Sequence, residues 1–116
     1  MFRRHTRIRG TSYHQSALKA LSNNVDPYSY RLSVKEEAKN QYDPNALSVI
    51  AEVCINNRLY NLKLGYLSKN IAESAKQFLS KGKVIQIIES CVTGKGRTHG
   101  YLGINLTYIF INSAHR

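Results

Sequence analysis

The sequence is poor in several residue types, and each shortage excludes a class of protein. It has no tryptophan, one methionine, two prolines and two cysteines among 116 residues. Its seven glycines and its hydrophobic fraction of 42% are not those of a collagen-like or disordered chain. Apolar runs are short, as in Tyr108 to Ile111, whereas a transmembrane helix needs about 20 residues. No apolar stretch follows the basic residues 1–9, so we expect no signal peptide. One small soluble domain is the remaining expectation.

Residues that could carry catalytic or metal chemistry are few and scattered. Cys54 and Cys91 lie far apart on apolar stretches without CxxC spacing. This predicts two buried, reduced thiols and neither a disulfide nor a zinc site. The four histidines lack metal-ligand spacing, and the motifs HExxH, GxSxG and GxxxxGK[ST] are absent. Glu36 and Glu37 are adjacent, so on a strand they would face opposite ways and not hold one metal ion. We therefore expect no catalysis, no metal and no cofactor.

The charge balance points to a polyanionic partner. Seventeen Lys and Arg against seven Asp and Glu give a net charge of +10 and a pI near 9.9. Such an excess on so small a domain is typical of nucleic-acid binding, although charge can also serve solubility alone. Membrane-surface binding would favour a basic amphipathic helix with Trp, Phe or Leu on its apolar face, whereas the sequence has no Trp and its one clear helix is not unusually basic. We expect no membrane partner.

Strand patterns dominate the chain. Alternating or β-branched apolar residues predict six strands, over residues 7–13, 28–34, 47–55, 60–66, 84–92 and 104–110. Asn56-Asn57 predicts a hairpin between the third and fourth, because Asn tolerates positive φ. A short amphipathic helix is expected around residues 17–21. A longer one is expected from Ile71 to Lys81, capped by Asn70 and ended by Gly82.

Six strands with one or two helices in so short a chain favour a small curled sheet or barrel, because a flat sheet would leave too many edges. The predicted class is mainly β with α, an OB-like or SH3-like barrel. We divide the chain into a flexible basic arm (1–6), one domain (7–111) and a tail (112–116). The glycine-rich segment 94–100 is expected to be a basic hairpin loop and not a phosphate loop, because a strand and not a helix follows it.

Eight tyrosines suggest how a basic domain could hold a single strand. Several lie beside turns or at strand ends: Tyr13, Tyr42, Tyr66 and Tyr101. A base can stack on such a ring for about 1–3 kcal/mol while Lys and Arg neutralise the backbone. Tyr60 and Tyr108 lie inside alternating runs, and we interpret them as strand residues with one face in the core.

Three segments carry a resemblance to a known family. YRLSVKEEAKNQYDPNALSVIAEV (30–53) has an N-x-Y-D-x-N-A-L run between two strand patterns, LGYLSKNIA (64–72) places a glycine before a helix, and RIRGTSY (7–13) is a weaker match. Together they resemble the HIRAN domain, in its free-standing bacterial or phage form. The resemblance implies an OB-like barrel with added helices that grips the 3′-hydroxyl end of single-stranded DNA.

The resemblance also implies roles for particular residues. Tyr13 and Tyr42 match base-stacking aromatics, and Asp43 matches a carboxylate that accepts a hydrogen bond from the 3′-hydroxyl. Tyr66 replaces a histidine, Lys69 matches a phosphate-contacting lysine, and Tyr101 aligns loosely with a further aromatic. Ser12 replaces an arginine.

Asp43 has two interpretations that remain open together. A carboxylate near phosphates repels them, so it is useful where it meets a hydroxyl and would reject a 3′-phosphate. It could equally cap the Asp-Pro-Asn turn by accepting backbone N–H groups, and we assign Asn45 to that turn. Basic residues expected at phosphates are Arg9, Lys35, Lys39, Lys69, Lys95 and Arg97.

The sequence therefore predicts a non-enzymatic module that binds single-stranded DNA at free 3′ ends, in DNA repair or replication-fork processing. We expect it in the cytoplasm, associated with the nucleoid. One alternative is a general binder of RNA or duplex DNA, which would tolerate loss of Tyr13 and Tyr42. Another is an adaptor that recruits a separately encoded helicase or nuclease.

Overall fold

The computed structural model describes residues 2–23, 30–94 and 100–113. In chain order the elements are β1 (Arg4–Arg7), a 3-10 turn (Thr11–Tyr13), α1 (Gln15–Ser22), β2 (Tyr30–Glu36), β3 (Leu47–Ile55), β4 (Arg58–Tyr66), α2 (Lys69–Ser80), β5 (Lys83–Thr93) and β6 (Gly103–Asn112).

The strands form two antiparallel three-stranded sheets, ordered β1-β6-β5 and β2-β3-β4. The chain passes from one sheet to the other just after β1. The Ile8 N–H donates to the Ile104 carbonyl at 3.0 Å, and the next N–H, of Arg9, donates to Tyr66 at 2.7 Å. A cavity of about 470 Å³ lies between β2 and β5, which are not hydrogen-bonded neighbours. The prediction of a mainly β, barrel-like fold is confirmed, and among the described residues no strand pairing joins β2 to β5 to close the barrel.

One core fills the space between the sheets. Its fully buried members alternate along the strands or lie on one face of a helix, as the 2.0 and 3.6 periodicities require; they include Leu18, Val49, Val53, Leu64, Ala75 and Ile104. Tyr108 is buried as predicted, with 4% of its surface exposed. Tyr60 keeps 42% of its surface exposed, because burial along β4 falls toward the turn end of the hairpin.

The hairpin prediction is confirmed in detail. Asn56 and Asn57 adopt φ values of 51° and 64°, and β3 and β4 begin pairing at Ile55 and Arg58 on either side of them. Two consecutive left-handed residues match the twist of the flanking strands. The tight turn fixes the register as far as the pair Ile50 and Lys63, and a bulge between Val49 and Ile50 then shifts it by one residue, so that Tyr66 lies opposite Ser48.

The first predicted strand was misplaced. Strand β1 ends at Arg7, and the chain turns at Gly10, whose φ of 74° ends the extended run. The Tyr13 N–H then donates to the Gly10 carbonyl at 3.1 Å. Residues 4–7 of strand β1 pair with β6. Residues 4–6 of the expected arm are therefore part of a sheet.

Two further expectations were wrong. Helix α2 is capped by Ser68 and not Asn70: the Ser68 Oγ accepts from the Ile71 N–H at 3.3 Å, which places Asn70 inside the first turn. Cys54 and Cys91 are exposed and not buried. Cys54 follows the buried Val53, so it faces outward in the alternation of β3. Gly82, with φ 83°, ends the α2 region as predicted.

Part of the expected strand over 28–34 and of the loop over 94–100 lies outside the described residues. No helix within residues 2–23, 30–94 and 100–113 combines the length and apolar character needed to cross a membrane.

Candidate nucleic-acid interface

A cavity of about 460 Å³ brings four of the predicted site residues together. Tyr13, Tyr42, Asp43 and Tyr66 all line it, along with Gly10, His14, Asn40, Ala46 and Leu67. Tyr13 and Tyr42 are each 87% exposed, so both rings are available to a ligand. These residues come from three segments that are far apart in sequence: the turn after β1, the loop between β2 and β3, and the end of β4.

The turn after β1 presents Tyr13. The left-handed Gly10 precedes the 3-10 turn, and a Cβ at Gly10 would lie 3.8 Å from the Tyr66 ring. Gln15 anchors the turn from behind, because its Nε2 donates to the carbonyls of Thr11 and Leu102, both at 2.8 Å. The Gln15 Oε1 also accepts from the Leu102 N–H at 2.9 Å. Tyr13 therefore extends from a fixed turn into solvent at the cavity.

The loop between β2 and β3 is folded around Asn40. Its Oδ1 accepts from the backbone N–H groups of Tyr42 at 2.9 Å and of Asp43 at 3.0 Å. The Asp43 Oδ1 accepts from the Asn45 N–H at 2.9 Å, and the Ala46 N–H donates to the Asp43 carbonyl at 3.0 Å. Asp43 thus caps the turn. Its second oxygen, Oδ2, has no hydrogen-bond partner in the described part of the chain, and a carboxylate can accept several hydrogen bonds.

A polar network holds the third wall. The Tyr66 hydroxyl donates to Glu37 Oε1 at 3.0 Å, and Lys63 Nζ lies 2.6 Å from Glu37 Oε2. Lys63 Nζ also donates to the Tyr66 hydroxyl at 3.0 Å, and Asn40 Nδ2 donates to Glu37 Oε1 at 3.3 Å. Glu37 therefore connects the tyrosine of β4 to the asparagine that folds the loop.

Protonation states in this network follow from the contacts. Partial burial would raise the pKa of Glu37, but the hydrogen bonds it accepts from Lys63, Asn40 and Tyr66 outweigh burial and lower that pKa to about 2. The same contact with Glu37 raises the pKa of Lys63. Burial, assisted by the Lys63 charge, lowers the pKa of His14 below its usual value despite the opposing charge of Glu37. The ion pair thus persists at neutral pH, where His14 is mainly neutral.

The other predicted site residues do not line the cavity. Arg9 and Lys39 are exposed and adjoin the lining residues Gly10 and Asn40, while Lys69 is the first residue of α2. Lys35 is exposed on β2, and Tyr101 is exposed beside the Leu102 that Gln15 holds. Lys95 and Arg97 lie outside the described residues.

Sequence reasoning missed Glu37, Asn40 and Lys63 as site residues. Asn40 carried a local signal, because an asparagine two or three residues before exposed backbone N–H groups commonly folds an Asx turn. The Glu37–Tyr66 contact spans 29 positions, so no local sequence signal could indicate it. In the described segments, no group of three or more His, Cys, Asp or Glu side chains could hold a metal ion.

Comparison with known proteins gives one match. A family model described as the HIRAN domain matches residues 2–108 of the chain. No curated protein and no solved structure matches the chain.

Proposed function

The chain belongs to the HIRAN domain family, a family of nucleic-acid-binding and not catalytic domains, and we propose that it binds single-stranded DNA at free 3′-hydroxyl ends. The observation that supports this most is the shared cavity of Tyr13, Tyr42, Asp43 and Tyr66. It combines two exposed rings with a carboxylate oxygen that the described residues leave free.

The rings of Tyr13 and Tyr42 offer stacking surfaces for the last bases of a strand. Every base has a π-face, so stacking tolerates any sequence, and each stacked base contributes about 1–3 kcal/mol. Because Gly10 and Asn40 fix the backbone beneath the two rings, little further ordering is needed on binding.

Asp43 supplies the end-reading chemistry. The Oδ1 atom serves the turn, while Oδ2 accepts a hydrogen bond from the 3′-hydroxyl, which is a donor. A 3′-phosphate offers only negative oxygens at neutral pH and is repelled by the carboxylate. The turn-capping and hydroxyl-reading roles proposed from sequence are therefore compatible, one on each oxygen.

Two substitutions relative to the family's pattern are accommodated differently. Tyr66 stands where a histidine was expected from the resemblance, and its hydroxyl is engaged by Glu37 and Lys63, so it contributes its ring as a wall. Ser12 replaces an arginine; exposed Arg9, Lys39 and Lys69 lie close in sequence to lining residues and take over the phosphate contacts.

The test is fluorescence anisotropy on one labelled oligonucleotide in three forms: 3′-hydroxyl, 3′-phosphate and circular. We expect the 3′-hydroxyl form to bind at least tenfold more tightly than the other two. Equal binding of all three, with a steep salt dependence, would show a general nucleic-acid binder and overturn end recognition.

Two variants separate the roles within the cavity. Asp43→Asn keeps an oxygen for the Asn45 N–H but loses the charge, so we expect weaker 3′-hydroxyl binding and a smaller rejection of the 3′-phosphate. Tyr42→Ala should weaken all binding by about 5- to 100-fold through lost stacking. Tyr60→Ala is the matched control, an exposed tyrosine that does not line the cavity.

A further inference from the structure

Basic residues, three arginines and a histidine, occupy every second position from residue 3 to residue 9, the segment leading into the cavity. Arg3, His5, Arg7 and Arg9 are all exposed, whereas Ile8 is buried. Side chains two apart on an extended strand share a face, so His5 and Arg7 project from the same side of β1, and Arg3 and Arg9 continue the alternation just before and after it. We refer to these four residues as the β1 stripe.

Contacts across the sheet place three of them on its outer face. The Arg3 Nη1 lies 4.0 Å from Glu89 Oε1 on β5. The His5 Nδ1 is hydrogen-bonded to Thr107 Oγ1 on β6 at 2.8 Å. The Arg7 guanidinium lies close to Gly103 of β6, because a Cβ added to Gly103 would be 3.7 Å from the Arg7 Nη2. The stripe is thus fixed on the sheet and is not part of a loose arm.

The stripe is weakly neutralised by the protein. The Arg3–Glu89 contact is long, and both side chains are 66% exposed, a geometry that contributes little stability. No other ion pair of the described residues involves the stripe. Strand β1 is also the edge strand of its sheet, so no further strand of that sheet pairs with its free edge.

The dimensions of the stripe suit a polynucleotide backbone. Strand residues rise about 3.3 Å each, so positions 3 to 9 span roughly 20 Å, with a basic side chain about every 6.6 Å and arginines at positions 3, 7 and 9. That spacing is comparable to the separation of successive phosphates in an extended single strand. Arg9 is adjacent to Gly10, which lines the cavity, so the stripe runs outward from the proposed binding site. It contains no Phe, Tyr or Trp, and three of its four residues are arginines, which suits phosphates more than bases.

We propose that the β1 stripe holds the phosphates on the 5′ side of the terminal nucleotides, so that a bound single strand runs from the cavity along the outer face of β1. This proposal rests on the proposed function for its polarity, because the cavity takes the 3′ end. The stripe adds affinity without sequence preference and makes affinity depend on strand length over about three further phosphates.

The test compares 3′-hydroxyl oligonucleotides of two to ten nucleotides on three proteins. The wild type is measured beside Arg3→Gln/Arg7→Gln and beside Lys76→Gln/Lys81→Gln, which removes the same charge from exposed positions on and after α2. Thermal unfolding verifies that each variant is folded. A fourth arm uses an eight-nucleotide strand whose 5′ linkages are uncharged methylphosphonates.

We expect wild-type affinity to rise with length and level off near five or six nucleotides. The Arg3/Arg7 variant should lose roughly 5- to 25-fold on eight-nucleotide strands in 0.1 M salt, with a salt slope smaller by about 1.4, and little on dinucleotides. The methylphosphonate strand should reproduce this loss on the wild type and add nothing on the variant. The ratio of 3′-hydroxyl to 3′-phosphate binding should not change.

Equal losses of DNA affinity in the two double variants at every strand length would overturn the proposed role of the β1 stripe, since the net charge of the protein would then explain those losses. So would a methylphosphonate strand that binds the wild type as well as the native strand. Failure of the proposed function has a different signature, namely equal wild-type affinities for 3′-hydroxyl and 3′-phosphate ends at every length.

Discussion

The hydroxyl of Tyr66 donates a hydrogen bond to the carboxylate of Glu37, 3.0 Å away and 29 positions earlier in the chain. This bond joins the end of β4 to the segment just after β2 on one side of the candidate interface. It directs the polar end of Tyr66 away from bulk solvent and leaves its ring among the lining residues. The cavity is thus supported by a network in which Glu37 and Lys63 are not themselves proposed to touch DNA.

The ring and hydroxyl of Tyr66 should have separable effects. Tyr66→Phe keeps the cavity wall, so we expect a change in DNA affinity below about threefold and a loss of about 1 kcal/mol in unfolding free energy. Tyr66→Ala removes the wall and should weaken binding by about tenfold or more. Anisotropy and urea unfolding on both variants check this. A Phe variant that binds as poorly as the Ala variant would mean that the hydroxyl itself contacts DNA.

Glu37 should make stability depend on pH. Its pKa is about 2 in the folded protein, below its unfolded value, so the folded state resists protonation. The stabilisation is complete above about pH 4.5 and is lost as the pH falls toward 2. Glu37→Gln should cost about 1–3 kcal/mol at pH 7 and flatten the acid side of the profile. Urea unfolding from pH 7 to pH 3 measures this pH dependence of the unfolding free energy, and Glu36→Gln, at an exposed position, is the control. Parallel acid profiles for the wild type and Glu37→Gln would contradict the assignment of the pH dependence to Glu37.

Asn40 should act by positioning the loop. Replacing it with alanine removes the acceptor for the Tyr42 and Asp43 N–H groups. We expect those two amides to exchange hydrogen faster and DNA affinity to fall about tenfold, roughly 1.4 kcal/mol. Gln41→Ala, at the exposed neighbouring position, should change neither. Weakened binding without faster exchange would instead indicate that Asn40 touches the DNA directly.

Gly65 should be the least replaceable glycine among the residues that the structure describes. A Cβ there would overlap the Arg9 carbonyl oxygen and lie 2.7 Å from Ile8 Cγ2, at the point where the two sheets join. Gly65→Ala should therefore lower unfolding free energy by about 3 kcal/mol or more. Gly82 also has a positive φ, 83° against 153° at Gly65, but open space around it, so about 1 kcal/mol is expected for Gly82→Ala. Equal melting temperatures for the two variants would refute the close-approach argument.

Local chemistry explains which parts of the fold the sequence predicts. The hairpin at Asn56-Asn57 and the helix end at Gly82 depend on conformational preferences of the residues themselves, so they are correct. Strand β1 was misplaced because it is defined by backbone pairing with β6, about 100 positions later, and none of its own residues is buried. Its own residues are mostly polar. The Ser68 cap was missed because two neighbouring polar residues could both cap a helix, and only the backbone geometry distinguishes them.

The candidate site divides in the same way. Tyr13, Tyr42 and Asp43 are suggested by exposed-looking turns and by the family resemblance, and the fold brings them to one cavity. The Glu37–Lys63 ion pair depends on the register of β3 with both of its neighbours, which no local pattern specifies. The outward alternation of the β1 stripe becomes visible only once Arg3 and Arg7 are placed on the sheet.

The most direct test of the central claim is an NMR titration of the ¹⁵N-labelled protein with a dinucleotide that ends in a 3′-hydroxyl. We expect the largest amide shifts in the cavity, at Gly10, His14, Tyr42, Asp43 and Leu67, and much smaller shifts from the same dinucleotide with a 3′-phosphate. Shifts spread evenly over the basic surface, or equal for the two ends, would contradict the claim that this cavity binds a 3′-hydroxyl terminus.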